Sequence, residues 1–206
     1  MSQELLVWPF PMPDDDLIRE AYWNLHLSEE GTEAQKKRLG DASLLPRPWD
    51  IATCTESELR TVVWQWYGDF VTWFNHEYVW DPAAGMIPAC WYVHPHLVHE
   101  IGALADRRRD IGTSISSGPL EEWHRYAVPD FLDRLRERVK QHCDEGHQPW
   151  PARTRFARHL SEESAAKQNE AVDADLAQYD PDHEPAEARH LRAVETPPSW
   201  PEPPPS

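Results

Sequence analysis

Cysteine and histidine recur at one spacing in this chain, as Cys90-x3-His94 and again as Cys143-x3-His147. Brought together, the two pairs would offer two thiolates and two imidazoles, a donor set that zinc takes in closed tetrahedral sites. With all four positions filled by protein, such a site would be structural and not catalytic. The pattern lacks a Cys-x2-Cys knuckle, and His94 is also explained as the capping residue ahead of Pro95. Two readings therefore stand: a zinc site, or free thiols with surface histidines.

Other reactive residues fall short of a mechanism. His96, His99 and Glu100 mix imidazole with carboxylate, but a helical zinc protease needs histidines four apart with the glutamate next to the first, and here they are three apart with Glu100 trailing. Glu121, Glu122 and His124 flank Trp123 without any nucleophile motif, so an amphipathic helix with the indole inward explains them. Glycine loops for nucleotides are missing, and with them a foothold for nucleotide-dependent catalysis. The expectation is a non-enzymatic protein with no cofactor other than zinc.

A third group is basic. Arg107, Arg108, Arg109, Arg134, Arg136, Arg138, Lys140, Arg153, Arg155 and Arg158 lie within one stretch and could meet phosphates, with Arg107, Arg108, Arg109, Arg134, Arg138, Arg153 and Arg155 as the main candidates. Nine acidic groups are interleaved in residues 101–160, and the whole chain carries −16. By segment, residues 1–54, 55–100, 101–160 and 161–206 carry −5, −5, +2 and −8. An acidic field disfavours non-specific binding to nucleic acid or anionic lipid while leaving room for a local basic patch. At the far end, Ser199-Trp-Pro-Glu-Pro-Pro-Pro-Ser206 could dock an aromatic groove as a polyproline segment, or be a tail without a partner.

These groups need elements to hold them. Eleven tryptophans favour a dense aromatic core, and seven of them (Trp64, Trp66, Trp73, Trp80, Trp91, Trp123, Trp150) fall between residues 55 and 150. The 20 prolines crowd both ends, where they exclude helix interiors and central strands. Residues 1–13 are accordingly expected to be a disordered arm, and residues 181–206 a disordered acidic, proline-rich tail. Residues 14–54 read as a short helix started by Asp14 to Asp16, then a polar connector over 28–50.

Residues 55–160 read as one tryptophan-rich helical domain. Its main helix is expected to start at Thr55, with Glu58 completing a capping box, and to bury Leu59, Val62, Val63, Trp66, Phe70, Trp73 and Phe74. Gly68 in its middle implies either a close neighbour or a bend. A short hairpin fits Trp80 to Val93, with a turn at Asp81-Pro82 and Gly85. His94-Pro95 opens a helix burying Leu97, Val98, Ile101 and Leu104 and ending near Arg109; Pro119 and Val128-Pro129 open two more, the last capped by Gly146. Residues 161–180 form a marginal helix started by Ser161. The fold class is mainly α.

No apolar run reaches membrane-spanning length and no signal peptide is indicated, so no membrane partner and a cytoplasmic location are expected. Three cysteines make an odd, sparse set that suits reduced thiols.

Over about residues 60–145 the chain resembles the domain-of-unknown-function family numbered 4913, in Cys90-Trp91, His94-Pro95, Glu100, Leu104, Glu122-Trp123-His124, Leu132 and Leu135. Tyr92, where a second tryptophan is expected, and His124-Arg125 after Trp123 depart from that pattern. Family members are short proteins encoded largely by actinobacterial plasmids, integrated elements and phages. The resemblance implies an accessory protein of a mobile element and carries over no catalytic residue. Three functions follow as expectations: a helical interaction module for a protein partner, a nucleic-acid binder using residues 107–158, or a zinc-stabilised binding module.

Overall fold

A computed structural model describes residues 6–81, 85–139, 143, 147 and 151–177. Among them the fold is helical, with no strand and one isolated bridge between Arg47 and Asp50. The chain divides into two units, Met1–Gln148 and Pro149–Ser206.

The first unit is built around α3 (Ser57–Tyr78), which buries Leu59, Val63, Trp66, Tyr67, Phe70, Val71, Trp73 and Phe74. That stripe is wide because two overlapping series of apolar residues share the helix. Its start differs from expectation: Glu56 is the cap, and no side chain caps the first turn. Around it pack α1 (Asp16–Glu30), capped by Asp15 accepting from the Leu17 N–H, and α4 (Pro95–Thr113). α4 buries Leu97, Val98, Ile101, Leu104 and Ala105 and runs one turn beyond Arg109.

α5 (Gly118–Glu122) passes through a wide π turn at Trp123–Ala127 directly into α6 (Val128–Val139), so the two helices expected around Pro119 and Pro129 are joined. Phe131 of α6 meets Phe74 edge-on at 5.4 Å, and fully buried Trp123 donates its indole N–H to Tyr78 at 2.9 Å.

Several expectations are corrected. The polar connector contains a helix, α2 (Glu33–Leu39), because Thr32 and Gln35 form a reciprocal capping box. In place of a hairpin, the described part of 80–93 ends in a 3₁₀ turn at Trp91–Val93, and Trp80 is fully exposed. Gly68 has nothing within 4 Å of where a Cβ would sit; the close approach is at Gly102 instead, where a Cβ would lie 2.2 Å from the Tyr67 hydroxyl and 2.5 Å from the Trp49 carbonyl.

The arm is also corrected. Residues 6–13 lie along α3: Trp8 donates its N–H to Glu77 at 2.9 Å, and the indoles of Trp73 and Trp66 donate to the carbonyls of Trp8 and Pro11 at 3.1 and 3.0 Å. Proline carbonyls have no helix or sheet to serve, and the core indoles need acceptors.

The single domain expected over 55–160 stops at Gln148. α7 (Arg153–His159) belongs to the second unit with α8 (Glu162–Leu176), which starts where expected, with Ser161 accepting from the Ser164 N–H. Neither helix buries a residue; the thin apolar stripe of residues 161–180 implied this for α8, whereas α7 was expected within the core domain. Trp150, Gly146 and the tail lie outside the described residues.

Candidate metal centre

The two Cys-x3-His pairs meet. Their four donor atoms, the sulfurs of Cys90 and Cys143 and one ring nitrogen each of His94 and His147, lie within 4.8 Å of one another. Local structure explains how each arrives. Trp91 is buried and its N–H bonds to the Pro88 carbonyl at 2.9 Å, which fixes the 3₁₀ turn and turns Cys90 toward the start of α4. The residue before a proline is pushed to extended geometry, and His94 at φ −111°, ψ 94° obeys.

His94 occupies the cap position with its backbone alone: its carbonyl accepts from Leu97 and Val98, and its ring makes no capping bond. The ring is thereby free to place Nε2 3.3 Å from the sulfur of Cys90 and 3.4 Å from that of Cys143. Cap residue and cluster member, offered as alternatives by the sequence, are the same residue in two roles. Cys143 and His147 come from the stretch after α6, and the His147 ring stands 5.1 Å from that of His94.

These distances fit a tetrahedral ion. Zinc bonds of about 2.3 Å to sulfur and about 2.05 Å to nitrogen place a sulfur and a nitrogen about 3.6 Å apart around the metal. The two sulfur–nitrogen edges from His94 are within a few tenths of that, and the remaining separations do not exceed 4.8 Å. Cys143 is buried, Cys90 and His94 are half-buried and His147 is exposed, so an ion has a way in.

Burial sets the protonation of two of the donors. Burial and the neighbouring Cys143 push the Cys90 thiol up to about 11. Burial, with His147 and His96 nearby, lowers His94 below the ordinary imidazole value. Both shifts mean that the Cys90 thiol is protonated and the His94 ring neutral at pH 7. A divalent ion would reverse the first, since thiolates bind it and release protons, and would use the second, since only neutral imidazole is a ligand.

Beside the cluster, Glu100 of α4 pairs with Arg134 at 2.8 Å and with Arg138, clamping α4 to α6. His96, whose ring is 5.8 Å from that of His94, keeps Nε2 buried and without a hydrogen-bond partner, and its pKa is lowered by burial and by Arg138 against the opposing Glu100. The helical spacing of His96 and Glu100 fails as a protease pattern and does not by itself show that Glu100 joins α4 to α6.

The basic candidates disperse. Arg108 lies over the rings of Phe10 and Trp73, and Arg109 pairs with Asp106 at 2.9 Å while covering Tyr22. Arg134 and Arg138 share Glu100, Arg136 pairs with Asp133, and Arg107 is exposed. Arg153, Arg155 and Arg158 are exposed on α7 in the second unit; Lys140 lies outside the described residues. Among the described residues, no helix is long and apolar enough to cross a membrane. Comparison with family models, curated proteins and solved structures finds no match to this chain.

Proposed function

We propose that this chain is a zinc-stabilised helical interaction module without catalytic activity, in which Cys90, His94, Cys143 and His147 hold one zinc ion. The observation that carries the reading is the convergence of four soft and borderline donors, from two places 49 residues apart in sequence, to within 4.8 Å. The ion would tie the start of α4 to the chain after α6. All four positions would be filled by protein, the arrangement of structural zinc and not of a site with an open position for substrate. The partner is a protein, and the module's setting is an accessory role in a mobile element, in the cytoplasm. The family resemblance supports the first part of that setting, and three cysteines without a disulfide support the second.

Metal analysis of protein purified without chelator tests the proposal. One zinc per chain is expected, with loss of the ion in Cys143→Ser. Cobalt(II) substituted for it is expected to give the visible absorption of a tetrahedral sulfur-containing site. Zinc far below one equivalent after incubation with excess zinc would overturn the reading.

A further inference from the structure

The arm and the π turn border a cavity. Trp8 of the arm, Trp73, Glu77 and Tyr78 of α3, Arg108 of α4 and His124 of the π turn line a space of about 290 Å³, and Leu120 of α5 joins them. Ligand sites run from about 300 to 1,000 Å³, so this one lies at the small end and suits a small metabolite. Trp8 is fixed in the wall by its stack on His76 at 3.8 Å and by the bond from its N–H to Glu77 at 2.9 Å. The arm is thus part of the wall, and the cavity is space that the arm does not fill.

Two charges line this space and do not answer each other. The Arg108 guanidinium lies 5.2 Å over Phe10 and 5.6 Å over Trp73, and its Nε is buried with no hydrogen-bond partner. A buried donor left without an acceptor is costly, and more so when it is charged. The Glu77 side chain is only 14% exposed; its Oε1 accepts from Trp8 and lies 2.7 Å from Nδ1 of His76. Among the described residues, Arg108 and Glu77 form no ion pair with one another. His124 enters through the π turn, a rare departure from α geometry that recurs at functional sites. Its Nε2 is 3.3 Å from the Tyr78 hydroxyl, which accepts the Trp123 indole N–H at 2.9 Å and so keeps its own proton for His124.

The charges and the walls together specify a class of ligand. An anion alone would be repelled by Glu77, and a cation alone by Arg108. A molecule that carries both a carboxylate and an ammonium on an apolar body satisfies each charge and each wall. We propose that this cavity binds a free amino acid with an apolar side chain. Its carboxylate accepts from the Arg108 guanidinium, whose planar fork suits that group. Its ammonium donates to the Glu77 carboxylate, and its side chain lies against Trp73 and Leu120. The half-buried setting strengthens both ionic contacts relative to water.

The test is isothermal titration calorimetry of the full chain with L-leucine, L-methionine and L-phenylalanine in turn. Saturable binding of at least one is expected, with a dissociation constant below about 1 mM. The acid that lacks the ammonium and the amine that lacks the carboxylate of that same ligand are each expected to bind at least about tenfold more weakly, the size of one charged hydrogen bond. Arg108→Gln is expected to weaken binding by about the same factor. Leu120→Trp, which fills the cavity from its wall, is expected to abolish it, with folding checked by circular dichroism. Failure of all three amino acids to bind overturns the proposal, as does equal binding of the acid or the amine, or binding that survives Leu120→Trp. The comparison of ligands needs no variant, so it decides the matter even if the variants do not fold. The cavity shares no residue with the Cys/His cluster. A chain without zinc would therefore sink only the metal reading, and a chain that binds no amino acid only this one.

Discussion

The arm and the Cys/His cluster both fasten a distant stretch of chain to the α3–α4 pair, and they do it by opposite means. At the arm, near the end of α4, aromatic rings bury one another and each indole N–H finds a carbonyl. At the cluster, near its start, two thiols and two imidazoles lie close together with burial holding Cys90 protonated and His94 neutral. The first fastening is complete in the polypeptide. The second, if it holds the proposed ion, would gain its full strength from it, and its contribution would depend on what the solution contains. Different perturbations should therefore break the two ends.

The largest effect is expected at the arm. Trp73 touches Phe10, Phe70 and Tyr78 and donates to Trp8, and Trp73→Ala would remove all of this from a buried site. A loss of about 3–5 kcal/mol is expected, roughly 10 °C or more in thermal unfolding. The comparison predicts the same loss with zinc or with chelator. A drop that grows or shrinks with zinc would mean that the two ends are one structure.

At the cluster the pattern should invert. Chelation, or Cys143→Ser, should cost about 4 kcal/mol when free zinc stands a thousandfold above its dissociation constant, and less as zinc is lowered. Trp73→Ala would show no such dependence. Thermal unfolding across a zinc series measures both, and a Tm of the wild-type chain that does not respond to zinc would remove the distinction.

The contrast also explains what the sequence made legible. The stripe on α3 and the buried face of α4 were readable because helical periodicity alone selects Val63, Trp66 and Phe70, or Leu97 and Ile101. The four Cys/His residues were readable as two equal spacings, whereas their convergence depends on where α6 ends relative to α4, which no local pattern encodes. Proline content suggested an unattached arm, because composition registers what proline cannot do and not that its carbonyl suits an indole donor. Trp80 was assigned to the core by its type, yet just past the end of α3 it is fully exposed. The glycine that matters was missed for the same reason: Gly102 is required by Tyr67 and Trp49, both far away in sequence, and Gly68 by nothing nearby.

That pair of glycines gives a smaller, sharper test, midway between the two fastenings. Gly102→Ala would place a methyl against the Tyr67 hydroxyl and the Trp49 carbonyl and is expected to cost about 1–3 kcal/mol through overpacking. Gly68→Ala meets open space on a helix and is expected to add about 0.5–1 kcal/mol. Urea unfolding of the two variants checks the opposite signs. If Gly102→Ala were neutral, the approach of α4 to α3 would be looser than the packing described, and the two ends could move independently.

The smallest effect isolates one hydrogen bond. Trp66→Phe keeps an aromatic ring in the core but leaves the Pro11 carbonyl without its donor, and a loss of about 0.5–1.5 kcal/mol is expected. Cys143→Ser shares no partner with Trp66, so combining the two should give the sum of the separate losses within about 0.5 kcal/mol. Agreement would establish that the hydrogen-bonded end and the metal end add independently to one helical core. A coupling well above that margin would instead place α3 and α4 in a single element whose geometry the Cys/His cluster helps to set.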